Sequence, residues 1–165
     1  MEKRIQRITP FLWFDDQAEK AAEFYTSVFP ESQIMTLTRY SKEAAQASGR
    51  PEGSAMTVVF RLDGQEFIAL NGGPAFRFTE AISFVVSCAS QDEVDRYWES
   101  LSAGGDEEAQ QCGWLKDRFG VSWQVVPTAL GDLLSDPDSD KSRRVMQALL
   151  QMKKIVIADL ERAAG

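Results

Sequence analysis

"EAISFVVSCASQDEVDRYWESLSAGG", Glu80 to Gly105, decides the fold. Its first nine residues are β-prone and apolar. Ser90 then stands as a helix N-cap with Glu93 three residues later, and Gly104-Gly105 stop the helix. The same order occurs earlier: "RITPFLWF" (Arg7 to Phe14) reads as a strand. "DDQAEKAAEFYTSVFP" comes next with acidic capping residues, a helical apolar period through Ala18, Ala21, Ala22, Tyr25, Val28 and Phe29, and a terminating Pro30. Aligning Phe24-Tyr25 with Tyr97-Trp98 sets an offset of 73, which places Pro10 on Ser83.

The segments after each helix repeat too. "QIMTLTRY" (Gln33 to Tyr40) and "SAMTVVFRLDGQEFIALNG" (Ser54 to Gly72) supply three strands, the last two joined at Asp63-Gly64, a strong hairpin signal. The polar, Gly/Pro-containing stretch from Ser41 to Gly53 reads as a surface loop. In the second half, an edge strand near Asp106 to Gln111 precedes "GWLKDRF" and "VSWQVVP". Both halves are β-α-β-β-β, and aligning Gly64 with Gly120 pairs Ile68 with Gln124. The expected fold is α+β: a single domain over 1–165, with one module at 5–73, a second at 79–127 and a helical tail at 128–165.

In that tail, Asp138 or Ser139 caps "KSRRVMQALLQMKK", and a shorter helix covers roughly Ile157 to Ala163. The stripe Val145, Leu149, Met152 and Ile155 is read as core or dimer packing.

Composition excludes several classes of chemistry. The chain has 165 residues and a net charge of −7, so its field repels phosphate backbones and nucleic acid is not an expected partner. There is no histidine, which removes Ser-His-Asp and Cys-His nucleophile activation and imidazole acid/base catalysis. Cys88 and Cys112 lack metal-ligand spacing and read as reduced thiols. No apolar run is long enough to span a bilayer, and "MEKRIQRITPFLWF" lacks a signal-peptide pattern, so a cytoplasmic protein without a membrane partner is expected.

Taken together, "ITPFLWF", "AAEFYTSVFP", "LNGGPAF", "AISFVVSC", "CGWLKDRFGVSWQVVP" and "VMQALLQMKKIVIADLERA" resemble the PhnB-like group, often labelled 3-demethylubiquinone-9 3-methyltransferase domains, of the vicinal oxygen chelate superfamily. That superfamily includes glyoxalase I, extradiol dioxygenases and fosfomycin and bleomycin resistance proteins. The resemblance implies two tandem βαβββ modules forming a cupped mixed sheet, and a homodimer. It also implies that metal-dependent relatives take ligands from the first and last strand of each module. By the alignment above those positions are Pro10, Ile68, Ser83 and Gln124, where His or Glu would be usual. Neutral or apolar side chains gain little over a cation's hydration shell, so no metal and no other cofactor is expected. The glycine pairs of "NGGP" and "AGGD" do not form a strand, Gly-rich turn and helix for an adenosyl cofactor, so the methyltransferase label is given little weight.

Alternation places Leu12 and Phe14 with Pro10, Glu66 and Leu70 with Ile68, Val85 and Ser87 with Ser83, and Ser122 and Val126 with Gln124. Trp13, Phe84 and Trp123 then point away from the cup, beneath the helices. The expected ligand-binding residues are Gln124, Ser83, Pro10, Ile68, Leu12, Phe14 and Glu66, with Asn71 and Lys116 at the rim. A mostly apolar cup with a few polar groups suits a small apolar or aromatic molecule. Two other readings are an enzyme using Glu66, Cys112 or bound water, and a module that serves only dimer formation.

Overall fold

Asp63 and Gly64 both take positive φ, 46° and 78°, and form the expected two-residue turn. They join β3 (Ala55–Leu62) to β4 (Gln65–Asn71), paired antiparallel from Leu62 and Gln65 through Thr57 and Leu70. The computed structural model describes residues 5–165. In it β4 also pairs in parallel with β1 (Phe11–Phe14), while β2 (Gln33–Arg39) pairs antiparallel with β3. The order is β1-β4-β3-β2.

The helix that connects β1 to β2 is α1 (Ala18–Val28), whose Ala18, Ala21, Ala22 and Tyr25 are all fully buried. Three alanines on one face let the helix lie close to the sheet, and Tyr25 stacks on Phe60 with ring centroids 6.3 Å apart. Leu12, Phe14, Val58, Phe60 and Ala69 complete that core. Each large side chain fully buried this way contributes about 1.5–3 kcal/mol.

The stretch read as a loop from Ser41 to Gly53 instead contains a helix, α2 (Lys42–Ser48). Ser41 caps it by accepting from the Ala44 N–H, and Gly49 ends it at φ 73°. "KEAAQAS" is made of good helix formers; small size and polarity had hidden that propensity.

Two compact units divide the chain, one ending at Arg77 and the other running Phe78–Gly165. The second repeats the first: β5 (Phe84–Cys88), α3 (Gln91–Ser102), β6 (Asp106–Gln111), β7 (Trp114–Lys116) and β8 (Ser122–Pro127), in the order β5-β8-β7-β6. The capping box at α3 forms much as expected. Ser90 Oγ accepts from Glu93 N–H, and the Glu93 carboxylate accepts from the Ala89 N–H. Val94, Tyr97 and Leu101 bury against Val86, Cys88, Leu115, Trp123 and Val125.

The tail supplies α4 (Thr128–Leu134), α5 (Ser139–Leu149) and α6 (Ile157–Ala164), with Asp138 as the α5 cap. The stripe of Val145, Leu149 and Ile155 is buried in a cluster with Leu130 and Leu160, and Met152 packs against it, so it is core. However, α5 stops at Leu149 rather than running through Lys154. The carbonyls of Met152 and Lys153 accept from the Cys112 and Gly113 N–H groups instead, which ties this segment to the β6–β7 turn.

Candidate functional site

The second sheet has one face under α3 and one open face. Cross-strand register sets Val85 beside Gln124, Ser87 beside Val126, Trp114 beside Gln124 and Lys116 beside Ser122. The expected set Ser83, Val85, Ser87, Ser122, Gln124 and Val126 therefore shares the open face. Val85 is 56% exposed there. Phe84 and Trp123 lie beneath the helix as predicted, rings 5.4 Å apart.

Gln124 donates its amide to Ser83 Oγ at 3.0 Å. Among the described residues no further bond is seen to the Gln124 carbonyl oxygen or from the Ser83 hydroxyl, one acceptor and one donor side by side. Trp114 flanks them with an indole absent from the expected set, although its spacing of two from Lys116 puts it on this face.

The polar residues of the β7–β8 hairpin do separate jobs. Asp117 is 3% exposed and accepts from the Phe119 and Val121 N–H groups at 2.8 and 3.1 Å and from the Trp123 indole N–H at 2.9 Å. It is a structural clamp. Arg118 donates to the Ala103 carbonyl at the end of α3. Lys116 reaches the carboxylate of Glu80, and that carboxyl is held below its ordinary range by the Lys116 hydrogen bond first, a backbone hydrogen bond second and the Lys116 charge third.

In the first sheet the predicted facing of β1 is off by one. Phe11 pairs with Ile68 and Trp13 with Leu70, so these share the open face with Glu66, while Leu12 and Phe14 pair with Ala69 and Asn71 on the helix side. Leu12 and Phe14 are 7% and 2% exposed, beneath α1. Pro10 shares their parity, and its carbonyl accepts from the Ile68 N–H. The physical reason is a connection of three residues between β1 and α1 against two between β5 and α3, so a register set on the helices does not carry to the strands. Thr9, not Pro10, is the counterpart of Ser83.

Trp13 accordingly faces the open side instead of the core beneath α1. Its indole N–H donates to the Gly73 carbonyl at 2.9 Å, and Phe76 meets its ring edge-on at 4.9 Å. A Cβ on Gly72 would lie 2.3 Å from the indole, so only glycine allows this approach.

Asn71 does not reach the open face. Its Oδ1 accepts from the Ala18 N–H at 2.8 Å, its amide donates to the Ala55 carbonyl, and its own carbonyl accepts from the Tyr40 hydroxyl. It supplies the acceptor for the first N–H of α1, where the N-cap residue Gln17 makes no side-chain capping bond.

The metal implied by the superfamily does not fit these residues. Ile68 has no donor atom, Thr9 and Ser83 offer neutral hydroxyls, and the Gln124 amide already donates to Ser83. Among the described residues, no three His, Cys, Asp or Glu side chains gather as a candidate ligand set. Cys88 is fully buried, and burial first, then the nearby Glu93 carboxylate, pushes its thiol up to about 11, well above a useful nucleophile. Cys112 packs beside the tail cluster.

A family model described as 3-demethylubiquinone-9 3-methyltransferase matches residues 6–126. The chain belongs to this PhnB-like family. A PhnB protein from Bacillus cereus described as a putative 3-demethylubiquinone-9 3-methyltransferase is 34% identical over 74% of this chain and 100% of its own, with a TM-score of 0.63. A Pseudomonas aeruginosa protein at 21% identity covers 74% of this chain and 98% of its own, TM-score 0.58. The fosfomycin resistance protein FosX of Listeria monocytogenes, at 17% identity, covers 80% and 97%, TM-score 0.51. These last two share the fold. No curated protein is significantly similar to the chain. The PhnB-like match ends before α4, so the three tail helices lie outside it. Among the described residues, no helix is long and apolar enough to cross a membrane.

Proposed function

We propose that this PhnB-like chain binds a small organic molecule on the open face of the second sheet without a metal ion. The observation that carries the reading is the Ser83–Gln124 pair, 3.0 Å apart, set among Val85, Trp114 and Val126. A few placed polar groups on an apolar surface are what an uncharged or weakly polar ligand needs for both affinity and orientation. The test is a screen of aromatic and alicyclic compounds read at the Gln124 side-chain amide resonance. Compounds that shift it should bind about tenfold more weakly to Gln124→Leu, as expected for loss of a hydrogen bond in a desolvated site. Equal affinity for the variant rejects the site.

A homodimer is proposed alongside this. The edge strand β2 carries Ile34 and Met35, 42% and 43% exposed, and an apolar edge favours burial against another chain. Light scattering across a concentration series should give the dimer mass, and a monomer throughout rejects it.

A further inference from the structure

Ser122 is 3% exposed, and its hydroxyl has no hydrogen-bond partner among the described residues. A buried hydroxyl left in this state costs free energy, so it marks a place where a polar atom belongs. Register puts Ser122 opposite Lys116 on β7, and alternation puts it on the face of Gln124. The Lys116 side chain is 24% exposed and its ammonium is held by Glu80, whose own side chain is 62% exposed and sits in the turn before β5 rather than in the sheet. A partly buried lysine is therefore paired with an exposed carboxylate on a connecting segment.

We infer that Lys116 and Ser122 form the anchor for a carboxylate on the organic ligand, and that Glu80 occupies Lys116 as an internal stand-in which the ligand's carboxylate displaces. The inference rests on the ligand-binding reading of the same face and narrows it to organic acids. An ammonium with three donors exchanges one carboxylate for another at little cost, whereas an unpaired cation left facing the sheet would be penalised. The incoming carboxylate also accepts a hydrogen bond from the Ser122 hydroxyl, which Glu80 leaves unpartnered. The apolar body of the acid then lies toward Trp114 and Val85, next to the Ser83–Gln124 pair. In such a site the internal carboxylate competes with the ligand, so removing its charge strengthens binding instead of weakening it.

Benzoate and benzyl alcohol, which share a ring and differ in the carboxylate, are the probes, titrated calorimetrically into the full chain. Benzoate should bind about tenfold more tightly than benzyl alcohol, the scale of a charge-assisted hydrogen bond. Glu80→Gln should tighten benzoate about tenfold and leave benzyl alcohol unchanged, and Lys116→Met should erase the preference while Lys116→Arg keeps it. Equal binding of both probes, indifferent to Glu80→Gln and Lys116→Met, overturns the carboxylate anchor and leaves the organic-ligand reading standing. Binding of neither probe, to the wild-type chain or to Glu80→Gln, overturns both.

Discussion

Asp117 and Gln124 are seven residues apart in one hairpin, and their surroundings separate them completely. Asp117 accepts two backbone N–H groups and the Trp123 indole N–H inside the protein, so its charge is spent on holding the β7–β8 turn. Asp117→Ala should lower stability by about 2–3 kcal/mol, since it strands two buried donors and one part-buried one. Urea denaturation checks this, and an unchanged midpoint would contradict the clamp. Gln124 instead donates its amide to the Ser83 hydroxyl. From the sequence, alternation grouped Ser83 with Val85 and Gln124 with Ser122, and the fold joins Ser83 to Gln124 by a hydrogen bond. The role of Asn71 was not legible there, because a cap donated from a strand to a helix 53 positions away leaves no local signature. The unpartnered Ser122 hydroxyl was equally hidden, since whether a serine is satisfied depends on what folding brings near it.

At the scale of elements, the strap between α5 and α6 is held by side chains of α3. Gln91 donates to the Ile155 carbonyl and accepts from the Ile157 N–H, and Lys154 pairs with Asp95 at 2.7 Å. The Lys154 hydrogen bond first, and the Gln91 one second, hold the Asp95 carboxyl below its ordinary value. A carboxyl lowered in the folded state stabilises above its unfolded pKa, and that contribution is lost as pH falls through the lowered one. Amide exchange of residues 152–157, corrected for intrinsic rates, should therefore rise on acidification below the ordinary carboxylate range. Asp95→Asn should abolish that pH dependence; if the variant keeps it, the ion pair is not its source.

Element existence was readable from periodicity and caps: every strand expected in the two modules forms. Element register was less so. One extra residue between β1 and α1 turned Leu12 and Phe14 under the helix and Phe11 and Trp13 to the open side, because a strand's faces exchange with each single step. α2 went unread because alanine, serine and glycine serve loops and short helices alike.

For the whole molecule, two sheets of identical strand order confirm the internal repeat, and the family match over residues 6–126 spans both. The tail adds three helices beyond that match. Its cluster buries Leu130, Val145, Leu149, Ile155 and Leu160 and takes in Val126 from the open side of β8, so in this chain the tail bounds one end of the proposed ligand face. What the fold class alone does not carry is the chemistry. Relatives at 34% and 21% identity share the fold with TM-scores of 0.63 and 0.58, and a shared fold does not by itself specify the chemistry. In this chain the second sheet carries the Ser83 hydroxyl and the Gln124 amide on one face, joined by a hydrogen bond.

The most direct test is native mass spectrometry of the chain purified gently from its own host, beside Gln124→Leu. A metal-free species carrying an organic mass that the variant loses is the result this account predicts. A stoichiometric divalent metal retained by the wild-type chain would contradict it.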